Sequence, residues 1–255
     1  VIELKTADEI ESMRAAGQVV AAVHAEMRAQ AAVGVSLREL DEATRKVLDD
    51  AGAGSSFLGY HPHFAPTPYP GVICSSVNDV MLHGLPTDYR LRDGDLLSVD
   101  FGAHIDGWHA DAAISFVVGT PRQEDLDLIA TAERCLAAGI EAAQPGGRMG
   151  DIGHAMSVVG RGAGYGIQND FAGHGIGRAM HEDPFVHNEA RPRRGLPLRP
   201  GLVIAIEPSL MAGGHDDYRI GSDGWSIVTA DGSRSAHVEH TVAITADGPR
   251  ILTLP

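Results

Sequence analysis

The stretch DLLSVDFGAHIDGWHADAAISFVV, residues 95–118, decides the architecture. Two apolar-rich segments flank Asp106-Gly107, a dipeptide suited to the two-residue turn of an antiparallel hairpin because both positions tolerate positive φ. With that pair as the turn, Asp100 faces Ala113 and Asp111 faces Gly102. Side chains alternate along a strand, so Asp100 and Asp111 share one face, diagonal to each other. Diagonal Cβ atoms stand roughly 7–8 Å apart, near enough for both carboxylates to reach one cation. No Lys or Arg falls between Gly94 and Gly119 to neutralise them. A buried carboxylate without a partner costs several kcal/mol. The pair therefore reads as a cation site rather than as two surface carboxylates.

Working outward, the hairpin lies between two helix pairs. Upstream, Thr6 and Glu9 form a capping box, and Ile10, Met13, Val20 and Met27 keep helical spacing to about residue 31. Ser36 and Glu39 form a second box, and the helix after it ends near Ala51-Gly52. A Pro-rich loop covers residues 60–71. Downstream, Thr120-Pro121 precedes a helix over 122–143, Gln144-Pro145-Gly146-Gly147 breaks it, and a further helix spans 150–163.

The letters repeat with the elements. FLGYH (57–61) resembles FAGHG (171–175), LRDGDLLSVDF (91–101) resembles LRPGLVIAIEP (198–208), and WHADAAI (108–114) resembles AHVEHTV (236–242). These matches set Asp100 against Glu207 and Asp111 against Glu239. Four matches in one order, helix pairs included, point to an internal duplication. We expect an α+β protein: one catalytic domain over 1–255, with halves of roughly 1–119 and 120–255 about a pseudo-twofold axis. A single site then lies at the junction, and Asp100, Asp111, Glu207 and Glu239 converge there.

Composition narrows the function. Acidic residues number 34 and basic ones 20, a net charge of −14, and aromatics are 5%. That argues against nucleic acid and anionic membrane as main partners. Only Cys74 and Cys135 are present, so there is no disulfide scaffold or Cys-rich zinc module, and a reducing, cytoplasmic setting is expected. No apolar run reaches membrane-spanning length; Leu202–Ile206 is the best. The N-terminus is acidic and polar, unlike a signal peptide. Of thirteen histidines most must be ordinary: His24 and His154 fall in helices, and His61 and His63 in the Pro-rich loop. His181-Glu182 opens like H-E-x-x-H, but the next histidine is His187, so that motif is absent. His174 sits among glycines in FAGHGIG, and the residues alone leave it open between ligand and structural histidine.

Taken together, VNDVMLHGLP (77–86), SVDFGA (98–103), WHADAAISF (108–116), FAGHGIGRAMHEDP (171–184), AIEPSL (205–210) and AHVEHTVAIT (236–245) resemble the type I methionine aminopeptidases. The resemblance covers nearly the whole chain and implies the pita-bread fold, a curved antiparallel sheet in two related halves backed by helices. It implies removal of the initiator methionine by a dinuclear centre of divalent ions (Co, Mn, Fe or Zn). Carried over, it makes Asp100, Asp111, His174, Glu207 and Glu239 the ligands. Asp111 and Glu239 bridge, Asp100 holds one ion, and His174 and Glu207 hold the other. His83 and His181 match substrate-contacting histidines, and Glu207 is a candidate proton shuttle. Phe57, Tyr60, Cys74, Met180 and Trp225 match the methionine pocket. Phe57 stands where many members carry a smaller residue and Met180 where Phe is common; the loop at 61–72 is longer and richer in Pro than usual. The implied partners are nascent polypeptide N-termini, met at the ribosome among other places, and the implied state is a monomer. The short step from His181 to Glu207 leaves no room for the insertion of the type II enzymes. Proline-directed relatives share the five ligands but usually carry an extra N-terminal domain, for which 255 residues leave no space. A binding-only relative typically lacks some ligands, and none is missing here.

Overall fold

The computed structural model describes residues Val1–Pro255, the whole chain. In chain order its elements are α1 (Ala7–Gln30), α2 (Leu37–Ala51), β1 (Gly54–Ser55), β2 (Cys74–Val77), β3 (Val80–Leu82), β4 (Leu96–Ile105) and β5 (Trp108–Val117). There follow α3 (Gln123–Ala142), α4 (Met149–Gly162), β6 (Gly166–Ile167), β7 (Gly173–Gly175), β8 (Glu182–Val186), β9 (Val203–Ile206) and β10 (Ser209–Met211). The last are β11 (Tyr218–Ile220), β12 (Ile227–Thr229), β13 (Ser235–His237), β14 (His240–Thr245) and β15 (Gly248–Ile251). Helices and antiparallel sheets make it α+β, as expected.

Local chemistry sets the helix ends. Thr6 with Glu9, and Ser36 with Glu39, close reciprocal capping boxes that satisfy orphan N–H groups at the starts of α1 and α2. Gly52 ends α2 at φ 63°, a left-handed conformation that costs glycine nothing. Asp106 and Gly107 both have positive φ, and β4 and β5 pair in the expected register, Asp100 with Ala113 and Gly102 with Asp111.

The strands are two-faced. Leu97, Val99, Phe101 and Ala103 of β4, with Ala110 and Ala112 of β5, pack into one apolar core with α1 and α2. Ile204 and Ile206 of β9, with Val242 and Ile244 of β14, pack into a second core with α3 and α4. The alternate residues, Asp100 and Asp111 among them, point to the opposite face. Each half thus buries a helix pair against one side of a sheet, and the carboxylates lie on the other side, part of which in the second half is covered by Ile10 and Met13 of α1.

The halves meet where β5, the edge strand beside β4, runs antiparallel to the chain that links β13 to β14. Ala113 and Glu239 exchange both backbone hydrogen bonds, at 3.0 and 3.3 Å. On either side of them, hydroxyls replace the backbone ladder. The Asp111 N–H donates to Thr241 Oγ1 (2.9 Å), which donates to the Asp111 carbonyl (2.7 Å). The His237 N–H donates to Ser115 Oγ (3.0 Å), which donates to the His237 carbonyl (2.7 Å). The seam is symmetric in kind, one hydroxyl contributed by each half.

The ladder also corrects two of the letter matches. Ser98 and Ala205 are equivalent in LRDGDLLSVDF and LRPGLVIAIEP; their partners are Ser76 of β2 and His174 of β7. The counterpart of the His174 strand is therefore β2, whereas Phe57–His61 forms a turn closed by the Tyr60 N–H to the Phe57 carbonyl. In the second half, Ile206–His240 and Ser209–His237 bracket the position where Glu207 faces Glu239 directly. Asp111 is one diagonal step from Asp100, so its ladder counterpart is His237 and not Glu239. Short Gly-rich letter matches carry no register, and hydrogen bonds decide it.

Candidate metal centre

Five side chains from both halves converge beside the seam. β4 supplies Asp100, β5 supplies Asp111, β7 supplies His174, the end of β9 supplies Glu207, and the link between β13 and β14 supplies Glu239. Ligand atoms of Asp111, His174 and Glu239 lie within 4.8 Å of one another, and so do those of Asp100, His237 and Glu239. Glu239 belongs to both sets. Glu207 belongs to neither; its Oε1 lies 3.4 Å from His174 Nε2 and its Oε2 3.1 Å from His237 Nε2.

The glycines around His174 make this approach possible. A Cβ on Gly173 would stand 2.2 Å from the Ala205 carbonyl oxygen, and one on Gly175 would stand 2.1 Å from that of Asp183. Only glycine lets β7 squeeze between its neighbours. The Gly175 carbonyl lies 2.8 Å from His174 Nδ1, which fixes that nitrogen as the N–H and leaves the Nε2 lone pair facing Asp111 at 3.8 Å.

The electrostatics are those of a cation site. No Lys or Arg pairs with any of the four carboxylates. Asp100 Oδ1, Asp111 Oδ1 and both Glu239 oxygens are buried without a hydrogen-bond partner. Burial pushes the Asp100 carboxyl up to about 6. Burial, and then repulsion from the other carboxylates, holds Asp111 and Glu239 well above the carboxylate range; burial alone lifts Glu207. Burial lowers His174 to about 4, so it is neutral at pH 7 and free to ligate. Orphaned carboxylate oxygens clustered with neutral imidazole nitrogens fit divalent ions.

The centre opens into a cavity of about 640 Å³. Its walls include Asp100, Asp111, His174, Glu207, His83 and His181, together with Phe57, Tyr60, Cys74, Met180 and Trp225. Of the expected site residues only Glu239 lies behind the wall, 1% exposed. Phe57, Tyr69, Cys74, Met180, Trp225 and Ala65 form one small apolar cluster, with Tyr60 packed on it. Burial lowers His83 to about 4 and His181 to about 3, so both are neutral. The Tyr60 hydroxyl meets His181 Nδ1 at 2.7 Å. His83 is held at φ 57°, a conformation a non-glycine residue rarely adopts.

Residues 11–246 match the family model of metallopeptidase family M24. Methionine aminopeptidase 1 of Mycobacterium tuberculosis (strain CDC 1551 / Oshkosh) is 47% identical, over 100% of this chain and 96% of the relative. The chain belongs to metallopeptidase family M24. Within the family the chain matches methionine aminopeptidases over nearly their full length. The crystal structure of methionine aminopeptidase from Thermotoga maritima superposes with a TM-score of 0.95 at 35% identity, covering 100% of both chains. Prolidase from Pyrococcus furiosus, at 22% identity, shares the fold alone: TM-score 0.77, with 99% of this chain but 65% of that one covered.

Among the residues of this M24 site that the sequence did not single out, three stand out. Phe64, in the Pro-rich loop, stacks on the His83 ring with centroids 6.2 Å apart and planes 15° apart. Phe171, in FAGHG, meets Phe64, His83 and Tyr218 edge-on. His237, in AHVEHTV, joins the carboxylates. An aromatic at a loop tip has no periodicity to mark it, and His237 was visible only as one letter beside Glu239. The histidines read as ordinary stay outside: His24 is buried in α1, while His61, His63 and His154 are exposed. No helix is long and apolar enough to cross a membrane.

Proposed function

We propose that this chain removes the N-terminal methionine from polypeptides whose second residue is small, by hydrolysis that depends on two divalent ions. The observation carrying this reading is the convergence of five unneutralised donors, four of them orphaned or repelling carboxylates, at and, for Glu239, just behind the floor of a cavity walled by Phe57, Tyr60, Cys74, Met180 and Trp225. M24 membership and the full-length match to methionine aminopeptidases support it.

In this reading Asp100, Asp111, His174, Glu207 and Glu239 would hold the ions, with Asp111 and Glu239 shared, Asp100 serving one and His174 and Glu207 the other. Bound ions supply a Lewis acid for the scissile carbonyl and an acidified water. The chain supplies the rest. The apolar cluster takes the methionine side chain, with the thioether of Met180 adapting to it. Tyr60 donating to Nδ1 of the neutral His181 places that ring's proton on Nε2. His181 then donates a hydrogen bond to the carbonyl oxygen as charge develops there. His83 contacts the scissile nitrogen, its ring fixed by Phe64. Glu207, poised between two imidazoles, carries the proton to the departing amine. The setting is the cytoplasm, where two free, buried cysteines persist, with a monomer acting on nascent chains at the ribosome.

The test is kcat/KM on Met-X-Ser peptides with X as Gly, Ala, Val, Leu and Lys, beside Leu-Ala-Ser, norleucyl-Ala-Ser and a Met-Pro dipeptide. Met-Ala-Ser and the norleucine peptide should be cleaved, and the Lys and Leu-Ala-Ser peptides poorly, since one misfitted methylene group costs roughly 1–3 kcal/mol. Equal rates for Ala and Lys at X, or for Leu and Met at the first position, would refute the specificity. Preference for Met-Pro would move the chain to the proline-directed branch.

A further inference from the structure

We propose that His237 is a sixth protein donor to the centre, supplying a nitrogen to the ion on the Asp100 side. The inference rests on the five-donor reading above and adds a residue to it.

Three observations carry it. First, the donors form two sets that share Glu239: His174 with Asp111, and His237 with Asp100. Each set holds one imidazole, and the atoms of each are close enough to surround one ion. Second, the ladder places His237 as it places Asp111. Asp111 faces Gly102, two residues beyond Asp100; His237 faces Ser209, two residues beyond Glu207. His237 is therefore presented on the same face, one diagonal step from a carboxylate, as its counterpart in the first half is. Third, the residue is fixed and dry. It is 1% exposed, and its N–H and carbonyl are both engaged by Ser115 Oγ. Its Nε2 already faces charge, 3.1 Å from Glu207 Oε2.

The chemical consequence is a more even centre. With five donors, one ion is held by oxygens alone and the other by oxygens and a nitrogen. With His237 both ions gain an imidazole. Nitrogen donors favour Fe, Co and Zn over Mn, which prefers carboxylate and water. The Asp100 side should share that preference.

The competing role for His237 is a hydrogen bond to Glu207 with no bond to metal, and one experiment separates the two. The protein is loaded with two equivalents of Zn²⁺, and X-ray absorption counts imidazoles per protein in the wild type, His174→Ala, His237→Ala, His237→Gln and the double alanine variant. Circular dichroism checks each fold. The expected counts are two, one, one, one and zero. Zn²⁺ affinity for the weaker equivalent should fall in His237→Ala by more than the roughly 10–100-fold cost of losing an outer hydrogen bond to a ligand. His237→Gln, which keeps a hydrogen-bond donor, should not restore it. If the wild type shows one imidazole that survives in His237→Ala and disappears in His174→Ala, the proposal is overturned and the five-donor reading stands. If His174→Ala loses no imidazole, the five-donor reading itself fails.

Discussion

The two halves solve the same problem with different parts. In the first, Asp100 and Asp111 sit on a single hairpin with a two-residue turn, one diagonal step apart. In the second, Glu207 and Glu239 face each other directly, on strands separated by a long excursion that carries β10 to β13. The second half adds His174 from a third strand and His237 from a fourth. Short carboxylates suffice where the backbone turns tightly, because the turn fixes their separation. Where register is set by distant strands, longer side chains and added imidazoles complete the cluster. The first half thus provides a rigid floor, and the second provides reach.

Exchanging a carboxylate for its amide in each half probes the centre with the largest expected effect. Asp111→Asn and Glu239→Gln should each abolish turnover of Met-Ala-Ser, since in the proposed centre each would serve both ions, while the fold survives. Turnover beside melting temperature with and without Mn²⁺ gives the answer. Near wild-type activity in one variant alone would show that only the other half bridges.

Next come the cavity histidines, one from each half. His83→Ala and His181→Ala should each lower kcat by roughly 10²–10³, the cost of a lost transition-state hydrogen bond. Metal content by elemental analysis should stay at the wild-type level. A parallel fall in metal would make the affected histidine a ligand and redraw the division between floor and reach.

The seam is a smaller effect on stability. Thr241→Val strips the partner from the buried Asp111 N–H, and Ser115→Ala strips it from that of His237. Each should cost about 1–3 kcal/mol in urea unfolding, the price of one unsatisfied buried donor. Equal losses would sharpen the symmetry of the junction; a loss confined to one would break it.

The smallest effect is on pH. Asp100, ordinarily near 3.8, is held at about 6 by burial in the ion-free protein. Its folded carboxyl binds a proton more tightly than its unfolded one, so its contribution to ion-free stability is full below 3.8 and is lost as pH rises through 6. A cation competes with that proton. The rise in melting temperature on adding Mn²⁺ should therefore be larger at pH 7.5 than at pH 5. Asp100→Asn should flatten that difference. A rise independent of pH in the wild type would remove Asp100 from the metal-linked groups.

Much of the first half was legible because its information is local. Asp106-Gly107 fixed a register, the register fixed a face, and the face held Asp100 and Asp111. The helix starts were legible for the same reason, each written in a four-residue box. The family motifs then named His83, His181 and the wall residues, and the cavity brings all of these together. The ladder made β2, not Phe57–His61, the counterpart of the His174 strand, and put Glu239 across from Glu207. Residue identity alone could not decide that, since a shift of two residues keeps the same face and the same alternation.

By itself, then, the sequence determined the four helices, the central hairpin and its register, the unneutralised carboxylates and the family, all carried by short-range spacing or by recurring motifs. Only the tertiary structure decided how the halves join, through Ser115 and Thr241 replacing backbone bonds. It alone brought Phe64 onto His83 and His237 among the carboxylates. Apart from His237 beside Glu239, those contacts join residues from 19 to 137 positions apart in the chain, and no local pattern encodes them. They depend on two separately packed cores meeting in one alignment, a long-range choice settled by hydrogen bonds along the seam and by the burial of apolar faces behind it.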